Sequence, residues 1–193
     1  MNEVVIEIGM PILSRKYVVK SYPLPAYPMP PAYYEVPLYT VSIFKAANRL
    51  KPQSYTDQQE FKAVRFGVYD NDGSVPQYRA KGRFVVGLSD DRWYRLHRYI
   101  DYRLHSRPEN PDNGAWVIEG THYIHSGPQG FDESGYGTAG CVEIFGYREF
   151  IRFGEVLMQY TGSTSRYQVP RSAPVWIHVK HAGRPPIAPV AGP

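Results

Sequence analysis

Apolar and polar positions alternate with a period of two in several stretches of the chain, the pattern of strands that bury one face. Val4 to Ile8 and Tyr17 to Lys20 are short runs of this kind, separated by Gly9 and Pro11. Ala63 to Tyr69 alternates as well, Asp70-Asn71-Asp72-Gly73 reads as a turn, and Arg83 to Gly87 supplies a further strand. Trp116 to His125 and Cys141 to Phe145 are two more strands, joined by a loop that contains Gly127, Gly130, Gly135 and Gly137. Val175 to Val179 is the last.

Three stretches carry helical spacing instead. Val41 to Leu50 predicts a short helix closed by Lys51-Pro52. Ser89-Asp90-Asp91 reads as an N-cap with acidic residues in the first turn, followed by Trp93, Leu96, Ile100 and Leu104 on one face and a solvated basic face of Arg92, Arg95, Arg98 and Arg103. Tyr147 to Tyr160 places Phe150, Ile151, Leu157 and Met158 at helical spacing, with Gly154 against it. The sum is a mostly β fold with a few helices. Three parts are expected: an N-terminal extension over 1–60 with a Pro- and Tyr-rich segment from Ser21 to Pro37, a domain over 61–182, and a flexible tail over 183–193.

Composition supports the β reading. The 193 residues include 18 Pro, 17 Gly and 17 Tyr, which suits strands joined by many turns rather than a helical bundle. The net charge of +4 is scattered among acids, so no nucleic-acid arm is formed. No apolar stretch approaches the roughly 18 residues a membrane helix needs, so no membrane insertion is expected. Cys141 is the only cysteine, which excludes an intrachain disulfide and a multi-cysteine metal site. His122, His178 and His181 lack an acidic partner at ligand spacing, so no metal is expected. The glycine-rich loop is not followed by Gly-Lys-Ser/Thr, so it is no phosphate cradle, and no cofactor is implied.

The chemistry concentrates in His122-Tyr123-Ile124-His125-Ser126 and Gly137-Thr138-Ala139-Gly140-Cys141. A cysteine acts as a nucleophile only as thiolate, so it needs a base nearby and access to solvent. Gly140 before Cys141 lets a substrate approach the backbone, where N–H groups can stabilise an oxyanion. His125 ends one strand and Cys141 begins another, and the loop between them is long enough for the two strands to lie side by side. His122, three positions earlier, points to the other face of a regular strand.

Over Trp116 to Phe150 the chain resembles the L,D-transpeptidase (YkuD) family, on a His followed by a small residue (His125-Ser126) and a later cluster matched by Thr138, Gly140 and Cys141. The resemblance implies a β-sandwich in which Cys141 attacks a peptide carbonyl, His125 is the general base, and the Ser126 carbonyl orients the imidazole as an Asp does in a serine-protease triad. It implies peptidoglycan stem peptides as substrate, with Thr138, His122 and Arg148 as candidates on the substrate side. Two positions depart: Ala139 stands where the family usually has His, and Glu143 where many members place a substrate-facing Arg or Asn. Met1 to Ile8 has no basic start before a long apolar core, so no secretory leader is read there. The expectation is action in the periplasm or cell wall, reached by another route, such as delivery as an antibacterial type VI secretion effector with a cognate immunity protein. Two other classes compete. A thiol hydrolase of papain-like or NlpC/P60-like fold would place Cys before His, the reverse of this order. A non-catalytic β-sandwich binding module would hold Cys141 as an inert thiol.

Overall fold

The computed structural model describes residues 3–21, 32–69, 83–84, 87–102, 107–119, 122–132, 135, 137–138, 140–180 and 188–191. Its strands are β1 (Glu3–Lys20), β2 (Tyr33–Ala46), β3 (Tyr55–Val64), β4 (Val68–Tyr69), β5 (Arg83–Phe84), β6 (Arg92–Asp101), β7 (Gly114–Ile118), β8 (Tyr123–Ser126), β9 (Val142–Ile144), β10 (Val175–Val179) and β11 (Ala188–Val190). Two α-helices, α1 (Tyr147–Thr161) and α2 (Val169–Ser172), complete the mostly β architecture. The main sheet runs β1-β10-β6-β7-β8-β9-β3-β2-β11, and β1 also pairs with β2. Because β1 hydrogen-bonds β10 on one side and β2 on the other, eight strands close on themselves and β11 lies outside the ring.

Inward positions follow the two-residue period: Val4, Ile6 and Ile8 meet Val41, Ile43, Val175, Ile177 and Val179 in one core with Trp116, Ile118 and Ile124. Helix α1 adds Phe150, Phe153, Val156 and Leu157 to that core. Gly154 lies close under Arg166, whose Nε would be 2.7 Å from a Cβ there and would have to shift for any larger residue. A second cluster, Tyr17, Val19, Val36, Leu38, Tyr39, Val64 and Phe66, packs under the outer half of the β1–β2 hairpin. That half also touches the glycine-rich loop, for Lys20 N–H donates to the Gly135 carbonyl at 2.7 Å and Gly135 N–H to Tyr17 Oη at 2.9 Å.

Several expectations are corrected. The stretches 41–50 and 89–102 are not helical: Val41 to Ala46 belong to β2, and Arg92 to Asp101 form β6. In both strands the pairing register shifts, between Ile43 and Lys45 and between Leu96 and Arg98. At the first shift the extra residue lies in β3, opposite a regular β2; at the second it lies in β6, where it puts Leu96 and Tyr99, three apart, on the buried side and imitates helical spacing. Asp91 is part of a turn rather than a helix start, at φ 55°, with its N–H donating to the Val179 carbonyl. The single strand predicted over Trp116–His125 is a hairpin of β7 and β8, closed by Ile118 N–H on the His122 carbonyl at 2.9 Å. The two N-terminal runs are one strand, β1, with register shifts after Ile8 and Ile12 in place of a break. Residues 3–20 and 33–46, read as an extension, are strands of the main sheet, and Ala188–Val190, read as tail, pairs with β2. The turn at Asp70–Gly73 lies outside the described residues, as do Leu104, Ala139 and His181.

Candidate active site

The two strands that carry the predicted pair are neighbours. β8 and β9 run parallel, with Ile124 opposite Val142, His125 opposite Glu143 and Ser126 opposite Ile144. One step back, Cys141 comes level with Tyr123, whose main-chain N–H favours the thiolate. Paired positions share a face, so Tyr123, His125, Cys141 and Glu143 lie on one side while Ile124, Val142 and Ile144 fill the core on the other.

His125 is 2% exposed, and its Nδ1 lies 2.8 Å from the Ser126 carbonyl. A carbonyl only accepts, so Nδ1 carries the proton in this contact. Cys141 is partly exposed. Burial, first, and the nearby Glu143 push its thiol pKa up, against the lowering effects of the Tyr123 N–H and the Thr138 side chain. Cys141 therefore rests as a thiol rather than a thiolate. Thr138 is buried beside it, its carbonyl accepting from Gly67 N–H at 2.9 Å and its hydroxyl without a full hydrogen bond among the described residues. That hydroxyl is available to a thiolate.

The turn before Cys141 is set by backbone contact. Gly140 has φ 100°, and Gly87 lies against it so closely that a Cβ there would be 2.7 Å from the Gly140 carbonyl oxygen. The 87–90 segment is pinned in turn by buried Arg65, which reaches Asp90 at 2.5 Å and the Leu88 carbonyl at 3.0 Å.

Glu143 departs from the substrate-facing role of its position. It is 8% exposed, with a carboxyl oxygen 3.9 Å from His125 Nε2, too far for a hydrogen bond. Burial raises its pKa to about 8, opposed by Arg107, so the carboxyl is mostly protonated at neutral pH and weighs against the thiolate as it ionises. Stability carries the signature. Between the unfolded value of 4.5 and the folded value of about 8, the unfolded chain ionises and the folded protein does not. Stability from this group thus falls as pH rises through that window and is level above it. Glu143→Gln is expected to flatten the decline and to raise stability at pH 7 by up to about 3 kcal/mol, read by denaturant titration at pH 5 and 7. An unchanged pH dependence would show that Glu143 is ionised in the folded state.

Tyr102 was not among the predicted residues. Its ring centroid lies 5.0 Å from those of both His125 and Tyr123. Burial and the neighbouring Cys141, Tyr123 and Glu143 raise its pKa to about 12, so the hydroxyl stays a proton donor beside the thiol. Arg107 is a second addition, reaching Tyr147 Oη at 3.1 Å. No local signal marks either, since both act from segments remote in sequence from the His–Cys motif. Of the predicted substrate-side residues, Thr138 adjoins the thiol. His122 enters β8 out of phase with His125, and Arg148 is exposed on the first turn of α1.

No family model, no curated protein and no solved structure matches the chain. Among the described residues no group of three or more His, Cys, Asp and Glu could hold a metal ion, and no helix is long and apolar enough to cross a membrane.

Proposed function

We propose that the protein is a cysteine acyltransferase of the L,D-transpeptidase type, acting on peptidoglycan stem peptides. The reading is carried by His125 Nδ1 at 2.8 Å from the Ser126 carbonyl, on a strand running parallel beside the one Cys141 opens. With the proton on Nδ1, Nε2 is the nitrogen that would act as base. In the first half-reaction the Cys141 thiol proton passes to His125 Nε2 as sulfur bonds to the peptide carbonyl carbon. The oxyanion meets main-chain N–H groups around Gly140 and Cys141. Collapse breaks the C–N bond, the imidazolium protonates the departing amine, and the terminal D-residue leaves behind a Cys141 thioester. An amine or water then attacks the thioester, its proton passes to Nε2, and sulfur leaves as thiolate to be reprotonated. An amine gives cross-linking or D-amino-acid exchange, and water gives L,D-carboxypeptidase activity. As a delivered antibacterial effector the protein would meet this substrate in a competitor's periplasm, and its cognate immunity protein would occlude the face that exposes Cys141.

The test is intact-mass analysis after incubation with a purified tetrapeptide stem, with and without a D-amino acid. A Cys141-linked tripeptide adduct and free terminal D-residue are the expected products. Neither species at any pH between 6 and 9 would reject the reading. The non-catalytic alternative draws on the raised thiol pKa, and it requires Cys141 to resist a small alkylating reagent throughout that range.

A further inference from the structure

We propose that Asn110 is a positioning residue for His125, acting through Ser126 to hold the imidazole in the tautomer that leaves Nε2 basic. The proposal rests on the reading of Cys141 and His125 as nucleophile and base.

Arg107 to Gly114 reads from sequence as a plain loop, yet Asn110 within it is buried at 4% exposure. Its side-chain amide is engaged at both ends: Oδ1 accepts from Asp112 N–H at 3.0 Å, and Nδ2 donates to Ser126 Oγ at 2.5 Å. Asp112 N–H can only donate, which fixes Oδ1 on that side and assigns the Ser126 contact to Nδ2. The main chain of Asn110 is held as well, its carbonyl by Asn113 Nδ2 at 2.9 Å and its N–H by the Arg107 carbonyl at 3.0 Å. Behind it stands a fixed anchor. Asp112 takes hydrogen bonds from the Tyr99 hydroxyl and from Gly114 N–H at 3.1 Å, and Arg166 reaches its other oxygen at 2.8 Å.

Ser126 is the last residue of β8, where ladder bonds cease to define the backbone. The peptide that follows it carries the carbonyl that accepts from His125 Nδ1, and its N–H, that of Gly127, donates to the Ile144 carbonyl at 2.7 Å. Asn110 supplies the remaining restraint, on the side chain of that residue. A chain of hydrogen bonds therefore runs from Asp112 through Asn110 and Ser126 to the imidazole, and each link is buried or part-buried. Loss of the Asn110 link frees Ser126 to rotate, and the Nδ1–H tautomer loses its preference.

The test uses the full chain and two readouts that need no substrate: imidazole ¹⁵N shifts, which report the tautomer, and the pH profile of Cys141 alkylation by iodoacetamide. Wild type is expected to show His125 as a single Nδ1–H tautomer. Asn110→Ala and Ser126→Ala are each expected to give mixed tautomers and about tenfold slower alkylation at pH 7, with the double variant no worse than either single one. Ser126→Ala removes one hydroxyl and carries the test if Asn110→Ala fails to fold. A single Nδ1–H tautomer and an unchanged alkylation profile in Ser126→Ala overturn the proposal. If both readouts shift as expected but wild type forms no adduct with the tetrapeptide stem, the role of Asn110 stands and the peptidoglycan reading falls. Resistance of wild-type Cys141 to alkylation at every pH overturns both.

Discussion

Cys141→Ala is expected to abolish both the thioester adduct and release of the terminal D-residue, leaving turnover of tetrapeptide stems at background. The size of the effect follows from the absence of a substitute. Cys141 is the only cysteine in the chain, and the side chains around it, Thr138, Tyr102 and Glu143, are hydroxyls and a neutral carboxyl that attack a peptide poorly. Cys141→Ser should be almost as inactive, since a hydroxyl with a far higher pKa gives the same base much less nucleophile. Stability should barely move, because Cys141 is only partly buried and the substitution removes one sulfur, worth below about 1 kcal/mol. Thermal unfolding and stem-peptide turnover on the same samples separate the two effects. Equal product from wild type and Cys141→Ala would remove the nucleophile from the mechanism whatever the geometry around it.

The side-by-side placement of the His125 and Cys141 strands was legible because their arrangement is local. The fifteen residues between β8 and β9 are enough for those strands to lie side by side, so the neighbourhood of His125, Ser126, Gly140 and Cys141 could be read from order and spacing. The strand character of most of the chain was legible for a similar reason, from two-residue alternation. One failure arose where an irregularity altered the period: the bulge in β6 put residues three apart on one side and gave a strand the look of a helix. The meaning of Glu143 was out of reach for a different cause. A carboxylate at a substrate-facing position and a neutral acid buried beside an imidazole are the same letter in sequence, and only its 8% exposure tells them apart. Tyr102 and Asn110 come from the end of β6 and the loop before β7, and no spacing rule ties either to His125.

His125→Asn is the second change with a large expected effect, a fall in kcat of about 10²- to 10⁴-fold with KM little altered. The thiol is held above its ordinary pKa by burial and by Glu143, so at neutral pH it is almost wholly protonated and cannot rely on a preformed thiolate. Proton removal then belongs to the reaction itself, and the group that accepts the proton is also the one that returns it to the leaving amine. Asn keeps most of the imidazole's volume against Tyr102, and so isolates loss of the base from loss of packing. It also supplies a distinctive pH profile. Without the base, residual activity should track hydroxide and rise with pH across the range in which wild type levels off. Glu143 sharpens the distinction: with a pKa near 8 it gains charge within the same range, and its carboxylate both opposes thiolate formation and offers a weak alternative base. Activity in His125→Asn that rises above pH 8 and vanishes in His125→Asn/Glu143→Gln would assign the residual turnover to Glu143. Wild-type kcat in His125→Asn at pH 7 would show that the thiol is deprotonated by some other group, and that the parallel pairing of β8 and β9 brings the two residues together for structure alone.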